Sequence, residues 1–290
     1  MKKISILLPV FNEEKNIEAC IQSILESSYS HYEIIIINDG STDQTINIIE
    51  RIKDSRIKLY NKQNTGLVET LNYGIKKCNN EIIMRMDADD LIHSSKIKNQ
   101  LTEFIHKDIL LLGTEGRIID DQGEKMRRVD LPLEHNVIIN SMLNYNSGII
   151  HPSIMVYKEA LHKVKGYSEK IKHAEDHDLF LRLSKIGKIA NLGQELIYLR
   201  KHSKNVSHKY AEEQISNTII ANKYYESNNC KPISKDTYLQ IKKEVLDSIV
   251  NRSFIKAHKK IVELQYLTKN SIKTKILFFK VIRKLLKQLI

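Results

Sequence analysis

The sequence predicts an α/β fold, a mostly parallel sheet flanked by helices and followed by an α-helical C-terminal extension. Over residues 1–90, apolar runs typical of strands alternate with segments of helical spacing, the pattern of a parallel sheet wrapped by helices. Several of these runs end in polar or acidic residues, and ligands of such sheets sit beyond the carboxyl ends of the strands. Near residue 205 the chain becomes Lys-rich and Gly-poor, which divides it into a domain at 1–205 and a helical region at 206–290.

Each element has its own signal. "KISILLPVF" is a continuous apolar run, as expected of a strand covered on both faces. "EEKNIEACIQSILESSY" places Ile17, Cys20, Ile21, Ile24 and Leu25 at helical spacing. "YEIIIINDGSTD" reads as a second buried strand, "QTINIIERIKD" as a helix, "RIKLYN" as a strand and "GLVETLNYGIKKC" as a helix. "EIIMRMDADD" supplies the fourth strand. Further on, "IIHPSIMVYKEAL" and "KIANLGQELIYLRKH" read as strands. "AEDHDLFLRLSKIG" reads as a helix with an acidic first turn. The chain thus splits into a half at 1–90, whose strand ends gather an aromatic ring and carboxylates, and a half at 91–205.

Composition narrows the class. The chain has 290 residues and 41% hydrophobic content, ample for a core. Cys20, Cys78 and Cys230 are odd in number and scattered, so they form neither a disulfide framework nor a metal cluster, and a reducing compartment is expected. Pro9 and the acidic residues after it mark the N-terminal run as a strand rather than a signal peptide. No stretch reaches the ~18 apolar residues of a membrane span. These readings place the chain in the cytoplasm.

The net charge of +11 sits almost wholly in residues 201–290, which hold 19 Lys/Arg against 7 Asp/Glu. On a helical wheel of residues 271–290, Lys273, Lys280, Arg283, Lys284 and Lys287 share one arc opposite a broad apolar arc. That arrangement suits an anionic membrane surface, making the chain peripheral on the inner face of the membrane. Packing on the domain at 1–205 and homodimerisation through the apolar arc are the alternatives. Nucleic-acid binding has only charge in its favour, and none is expected.

"RMDADD" crowds Asp87, Asp89 and Asp90 at a strand end. Such charges repel unless water or a cation lies among them. Asp-x-Asp at a strand end can hold a hard divalent cation, Mn2+ or Mg2+, shared with a phosphate, but taken alone it favours a solvated acidic turn. An EF-hand is excluded by Ile92 and Lys98 at its sixth and twelfth positions. A dinucleotide site is excluded because Pro-Val-Phe-Asn-Glu follows the first strand, and no Walker-type loop is present. Taken alone, Glu175, Asp176 and Asp178 favour a helix-capping reading, with general-base chemistry as the functional alternative.

As an ordered set, "PVFNEE", "INDGSTDQT", "NTGLVETLNYGI", "RMDADD", "HPSIM", "AEDHDLFLRL" and "YLRKHSKNVS" resemble glycosyltransferase family 2 over roughly residues 3–207. The resemblance implies a GT-A fold, a Rossmann-like sheet carrying an inverting, nucleotide-sugar-dependent glycosyltransferase of hexosyl or N-acetylhexosaminyl type. It implies nucleotide-sugar contacts, with a UDP-sugar favoured, from Pro9, Phe11, Glu13, Asp39, Asn72, Arg85, Asp87 and Ala88. Within that set Phe11 packs on the base and Asp39 hydrogen-bonds it. Asp89, with Asp87, holds the Mn2+ or Mg2+, and Asp176 is the catalytic base. His151, Glu175, Arg200 and His202 fall on the donor or diphosphate side, although for His151 a buried structural role is the favoured reading. The acceptor is a hydroxyl of a glycan or lipid-linked molecule, in synthesis of a surface polysaccharide or glycolipid.

Three positions depart from the family pattern. Leu71 stands where Arg often precedes Asn72, so a contact to the base or diphosphate is either missing or supplied elsewhere, with Arg85 as the candidate. His177 stands where Tyr is commoner, and His93 replaces a small residue. Two other classes compete with the transferase. A sugar-phosphate nucleotidyltransferase would want a basic Gly-rich loop near the N-terminus, and a non-catalytic nucleotide- or membrane-binding scaffold would not need Asp39, Asp87, Asp89 and Asp176.

Overall fold

A computed structural model of the chain describes residues 2–201, 211–226 and 232–250. His202 and the amphipathic segment 271–290 lie outside the described residues. The first half runs β1 (Ile4–Val10), α1 (Ile17–Leu25), β2 (Tyr32–Asn38), α2 (Thr45–Arg51), β3 (Ile57–Asn61), α3 (Leu67–Lys77) and β4 (Ile82–Arg85). The second half runs β5 (Leu91–Ile92), α4 (Lys96–His106), β6 (Leu111–Ile119), β7 (Lys125–Val129), α5 (His135–Leu143), a 3-10 turn (His151–Ser153), β8 (Met155–Tyr157), α6 (Lys158–Lys163), α7 (Glu175–Ser184) and β9 (Ile189–Arg200). Two further helices follow, α8 (Ala211–Glu226) and α9 (Lys235–Val250).

One sheet joins both halves in the order β3-β2-β1-β4-β8-β6-β9-β5, with β7 on β6. The expected parallel pairing holds for β1–β2, β2–β3, β1–β4 and β6–β9, whereas β8 pairs antiparallel with β4 and β6, as do β7 with β6 and β5 with β9. Period-two alternation divides the core between the two faces. Ile4, Ile6, Leu8, Ile34 and Ile36 face α1, α2 and α4, while Leu7, Ile35 and Ile37 face α3 and, further along, α5, α6 and α7. Each such side chain contributes about 1.5–3 kcal/mol. Gly74 lets α3 lie close on this second face, since a Cβ there would come within 2.2 Å of Leu7 Cδ1.

Two boundaries differ from the sequence reading. β4 stops at Arg85, and the acidic cluster occupies the turn beyond it, because carboxylates are poor strand residues. "IIHPSIMVYKEAL" divides into a 3-10 turn, a three-residue strand and the start of α6. Pro152 lacks the N–H of a ladder position and fits a first helical turn. No helix among the described residues is long and apolar enough to cross a membrane.

At the amino ends of the strands, buried Glu33 of β2 is saturated with donors. It accepts from Ser5 Oγ (2.7 Å), Lys58 Nζ (2.8 Å), the Asn79 N–H (2.8 Å) and Asn79 Nδ2 (2.9 Å). Burial alone would raise its pKa, but bonds from Lys58, Ser5 and Asn79 prevail and hold it at about 2, below the ordinary 4.5. The folded state therefore releases this proton more readily than the unfolded chain. The stability from Glu33 is complete above about pH 4.5 and is lost as pH falls toward 2. Glu33→Gln is predicted to destabilise the protein near neutrality and progressively less on acidification, as measured by urea unfolding across that range. A penalty independent of pH would refute this.

α7 is fastened by a buried ion pair. Arg182 bonds Asp178 at 2.6 Å with both side chains about 2% exposed, and its other arm donates to the Val164 and Gly166 carbonyls at 2.7 and 2.9 Å. Arg182→Met would leave Asp178 buried and unpaired, so a loss of about 3–5 kcal/mol is expected in denaturant titration. A loss below about 1 kcal/mol would refute the pairing's role.

Candidate active site

Strand order sets where a crevice opens. From β1 the chain winds outward through β2 and β3, then returns to place β4 on the other side of β1, making a topological switch point between β1 and β4. Their pairing ends at Leu7–Arg85, and the chains part beyond it. A cleft of about 800 Å³ lies there, and Pro9, Phe11, Glu13, Asp39, Arg85, Asp87, Ala88, Asp89, His151, Glu175 and Asp176 all line it.

The wall formed by β1 and β2 is built from turns. Asn12 adopts a left-handed backbone (φ 54°) and its side-chain oxygen accepts the Thr42 N–H at 2.8 Å, tying the two strand ends together. Gly40 (φ +72°) follows Asp39, and a Cβ there would lie 2.8 Å from the Asn64 nitrogen. Only Gly lets the 62–66 loop approach so closely. That loop donates the Thr65 and Gly66 N–H groups to the two oxygens of Asp39, each at 2.9 Å, while Lys62 forms an ion pair with the same carboxylate. Asp39 therefore anchors this wall, and a carboxylate keeps further lone-pair sites for a ligand. Phe11 projects its ring from the edge of β1 and is 46% exposed, in contrast to the buried Phe104 and Phe180.

The facing wall carries the acidic turn. Arg85, 2% exposed, clamps Asp87 through contacts of 2.5 and 2.7 Å, and its Nε has no hydrogen-bond partner among the described residues. Asp90 is buried and accepts the Arg200 N–H at 2.9 Å. Burial, then the charges of Asp89 and Asp87, push its pKa well up. Oxygens of Asp87, Asp89 and Asp90 lie within 4.8 Å of one another. An all-carboxylate donor set suits a hard divalent cation, and the raised Asp90 pKa reflects its burial beside two further carboxylates. These residues fit such an ion.

The far wall comes from the second half. The His151 turn is held by buried Lys96, which donates to Gln100 Oε1 (2.5 Å) and to the Ser153 carbonyl (2.9 Å); burial lowers this lysine's pKa to about 7. His151 Nε2 lies 2.8 Å from Tyr167 Oη. Burial and then the Arg85 charge depress the pKa of His151, so the ring is neutral. Glu175 and Asp176 open α7. Burial and then the Asp176 charge raise Glu175 to about 7, and Asp176 Oδ1 accepts the His177 N–H at 2.8 Å.

Not every expected residue reaches the cleft. Asn72 bridges α3 to the turn after α6, donating to the Tyr167 carbonyl (3.0 Å) and accepting the Tyr167 N–H (2.9 Å), and it does not line the cleft. Arg200 does not line it either. Its guanidinium donates to the carbonyls of Asp89 (3.1 Å), Asp120 (2.9 Å) and Asp121 (2.9 Å), which steadies the backbone of the acidic turn. His202 lies outside the described residues. Sequence reasoning passed over Lys62, Tyr167, Lys172, His173 and Gln214; the last three line the cleft. Only His173 carries a local mark, a left-handed φ of 61° just before the acidic pair, and that is visible in the fold alone.

The pattern of the family described as "Glycosyl transferase family 2" matches residues 5–164. An uncharacterised glycosyltransferase of Haemophilus influenzae is 35% identical over 228 residues, covering 73% of this chain and 69% of that protein. The O-antigen biosynthesis glycosyltransferase WbnJ of Escherichia coli is 33% identical over 210 residues, covering 70% of this chain and 81% of that protein. Among solved structures, residues 1–349 of TarS from S. aureus in complex with UDP-GlcNAc superpose with a TM-score of 0.65 at 19% identity, covering 86% of this chain and 73% of that one. The mannosyltransferase PcManGT from Pyrobaculum calidifontis, in complex with GDP-Man and Mn2+, gives a TM-score of 0.60 at 13% identity, covering 96% and 79%. The α/β sheet of this chain is thus that of the GT-A glycosyltransferases, and the chain belongs to glycosyl transferase family 2, as a transferase enzyme.

Proposed function

We propose that this enzyme is a divalent-cation-dependent, inverting transferase that moves a sugar from a nucleotide-sugar, a UDP-sugar foremost, to a hydroxyl of a glycan or lipid-linked acceptor in surface polysaccharide or glycolipid synthesis. The observation that carries this reading is one cleft lined by both the Asp87–Asp89 turn and Asp176. TarS bound to UDP-GlcNAc and PcManGT bound to GDP-Man and Mn2+ support the donor class and the ion. The O-antigen role in the name of WbnJ supports the product class.

In this reading the exposed Phe11 ring packs on the nucleobase, and Asp39 accepts from it while anchoring the 62–66 loop. Asp89, with Asp87, holds the cation, which when bound neutralises charge gathering on the departing diphosphate. Arg85 fixes the orientation of Asp87 and brings positive charge to the same wall. Asp176 takes the proton of the acceptor hydroxyl as its oxygen forms the bond to the anomeric carbon. The bond to the diphosphate oxygen breaks on the opposite face, so configuration inverts. Glu175, raised to about 7, is substantially protonated near neutrality, which limits repulsion beside Asp176.

Three measurements test the proposal. Isothermal calorimetry should show UDP binding that strengthens with Mn2+, with Asp89→Ala removing the Mn2+ dependence; absence of any nucleotide binding would overturn the reading. Once a panel of nucleotide-sugars has identified a donor by slow hydrolysis or transfer, Asp176→Asn should cut turnover by about 10²–10⁴-fold with UDP affinity nearly unchanged. An Asp176→Asn enzyme with most of its activity would remove Asp176 as the base, and pyrophosphate release would favour a nucleotidyltransferase. For residues 271–290 the expectation is flotation of the full chain with anionic vesicles and its loss on deleting that segment.

A further inference from the structure

The segment that delivers Asp176 begins after residue 164, where the family match stops. It runs as an irregular turn from Tyr167 to Ala174 before α7, so its own backbone hydrogen bonds fix it poorly. Its backing comes from the helical extension. Ile171 and Ala174 are buried, 0% and 1% exposed, against Ile220, Ala221 and Tyr224 of α8. Asn217 of α8 is buried and donates its amide to the Lys172 carbonyl at 2.8 Å. Lys185, at the other end of α7, reaches the Tyr225 carbonyl.

The closest tie to the acidic pair involves His177, the residue after Asp176. Its Nε2 lies 2.7 Å from Oδ1 of Asn222, a buried residue of α8. The amide nitrogen of Asn222 donates to the Leu143 carbonyl at 3.2 Å. A carbonyl only accepts, so the amide is oriented with its oxygen toward His177. Nε2 must therefore carry the proton and donate. The bond thus runs one way, from the base-bearing helix to α8, and α8 passes the restraint to the end of α5.

We propose that α8 is a positioning element of the active site: the His177–Asn222 and Asn217–Lys172 hydrogen bonds bracket Asp176 and hold it toward the cleft. The proposal rests on the assignment of Asp176 as the base. Two anchors, five residues apart, leave the intervening turn little freedom, including the left-handed His173. A displacement of about 1 Å at a reacting group can cost about 100-fold in rate, so this restraint has catalytic consequences without contact to substrate. Gln214, on the first turn of α8, lines the same cleft and brings the extension to its edge.

The test compares His177→Phe, which keeps a ring but loses the donor, with His177→Gln, whose amide nitrogen can replace Nε2. Hydrogen exchange on the full chain should show residues 168–178 deprotected by about 10-fold or more in His177→Phe, near wild type in His177→Gln, and β1–β4 unchanged in both. With an identified nucleotide-sugar, His177→Phe should lower kcat by about 10-fold at unchanged donor KM, His177→Gln should retain activity, and adding Asn222→Leu to His177→Phe should cost little more. Equal exchange in His177→Phe and wild type, or donor KM rising in step with the loss of kcat, would overturn the proposal. Should His177→Phe fail to fold, Asn217→Ala applies the same exchange readout from the other anchor. Exchange needs no catalysis, so a wild-type chain that binds no UDP would refute the proposed function while leaving the positioning role to be judged by exchange.

Discussion

The structure is organised around a repulsion. Asp87, Asp89 and Asp90 bring oxygens within 4.8 Å of one another at the switch point of the sheet, an arrangement that like charges resist. The protein restrains it from two sides. Arg85, at the last position of β4, neutralises Asp87 from within the sheet, while Arg200, at the end of β9, holds the Asp89 and Asp90 backbone and carboxylate through its guanidinium and N–H. These arginines come from distant parts of the chain, so the acidic turn is braced across the sheet that joins them. Antiparallel β8, between β4 and β6, makes that continuity.

The same sheet brings the second acidic centre to the cleft by another route. α7 packs on the face opposite α1 and α4, and its register is set by the buried Asp178–Arg182 pair reaching back to the turn after α6. Asn72 closes that region from the other side through Tyr167. Tyr167 in turn reaches His151, whose ring also lies edge-on to Phe180 of α7. Residues expected to meet ligand, Asn72 and Arg200, thus hold the two acidic centres in place. Spacing cannot separate these roles, because a side chain that steadies a site and one that touches substrate occupy neighbouring positions.

The first ninety residues were legible because burial on both faces writes long apolar runs, and a helix between parallel strands writes a 3.6-residue period. The stretch from Ile92 to Ile150 was not. β7 is a largely exposed ribbon of "KMRRV", and β6 contains Gly113, Thr114, Glu115 and Gly116, so neither has a strand's hydrophobic signature. Glu115 is buried there with Arg128 of β7 and the Leu131 N–H as partners. The acidic clusters themselves were legible from charge density, a local property. Lys62 beside Asp39, Tyr167 beside His151 and Gln214 at the cleft were not, because each acquires its meaning from a partner distant in sequence.

Carboxylates buried at opposite edges of the same sheet show how differently the surroundings can treat a charge. Glu33, at the amino end of β2, is as buried as Asp90 at the carboxyl edge, yet their pKa values move in opposite directions. Donors fill the lone pairs of Glu33 and favour its charged form. Asp90 accepts the Arg200 N–H and feels the Arg85 charge, but burial and the charges of Asp89 and Asp87 prevail, and the charged form is disfavoured. A carboxylate retained for stability needs a complete set of partners, because an incomplete set costs free energy. Arg85 Nε, which has no hydrogen-bond partner among the described residues, and the raised pKa values of Asp90 and Glu175 lie on one edge of the sheet. Perturbed groups of this kind gather at functional sites, and it is at this edge that the proposed donor and cation would bind.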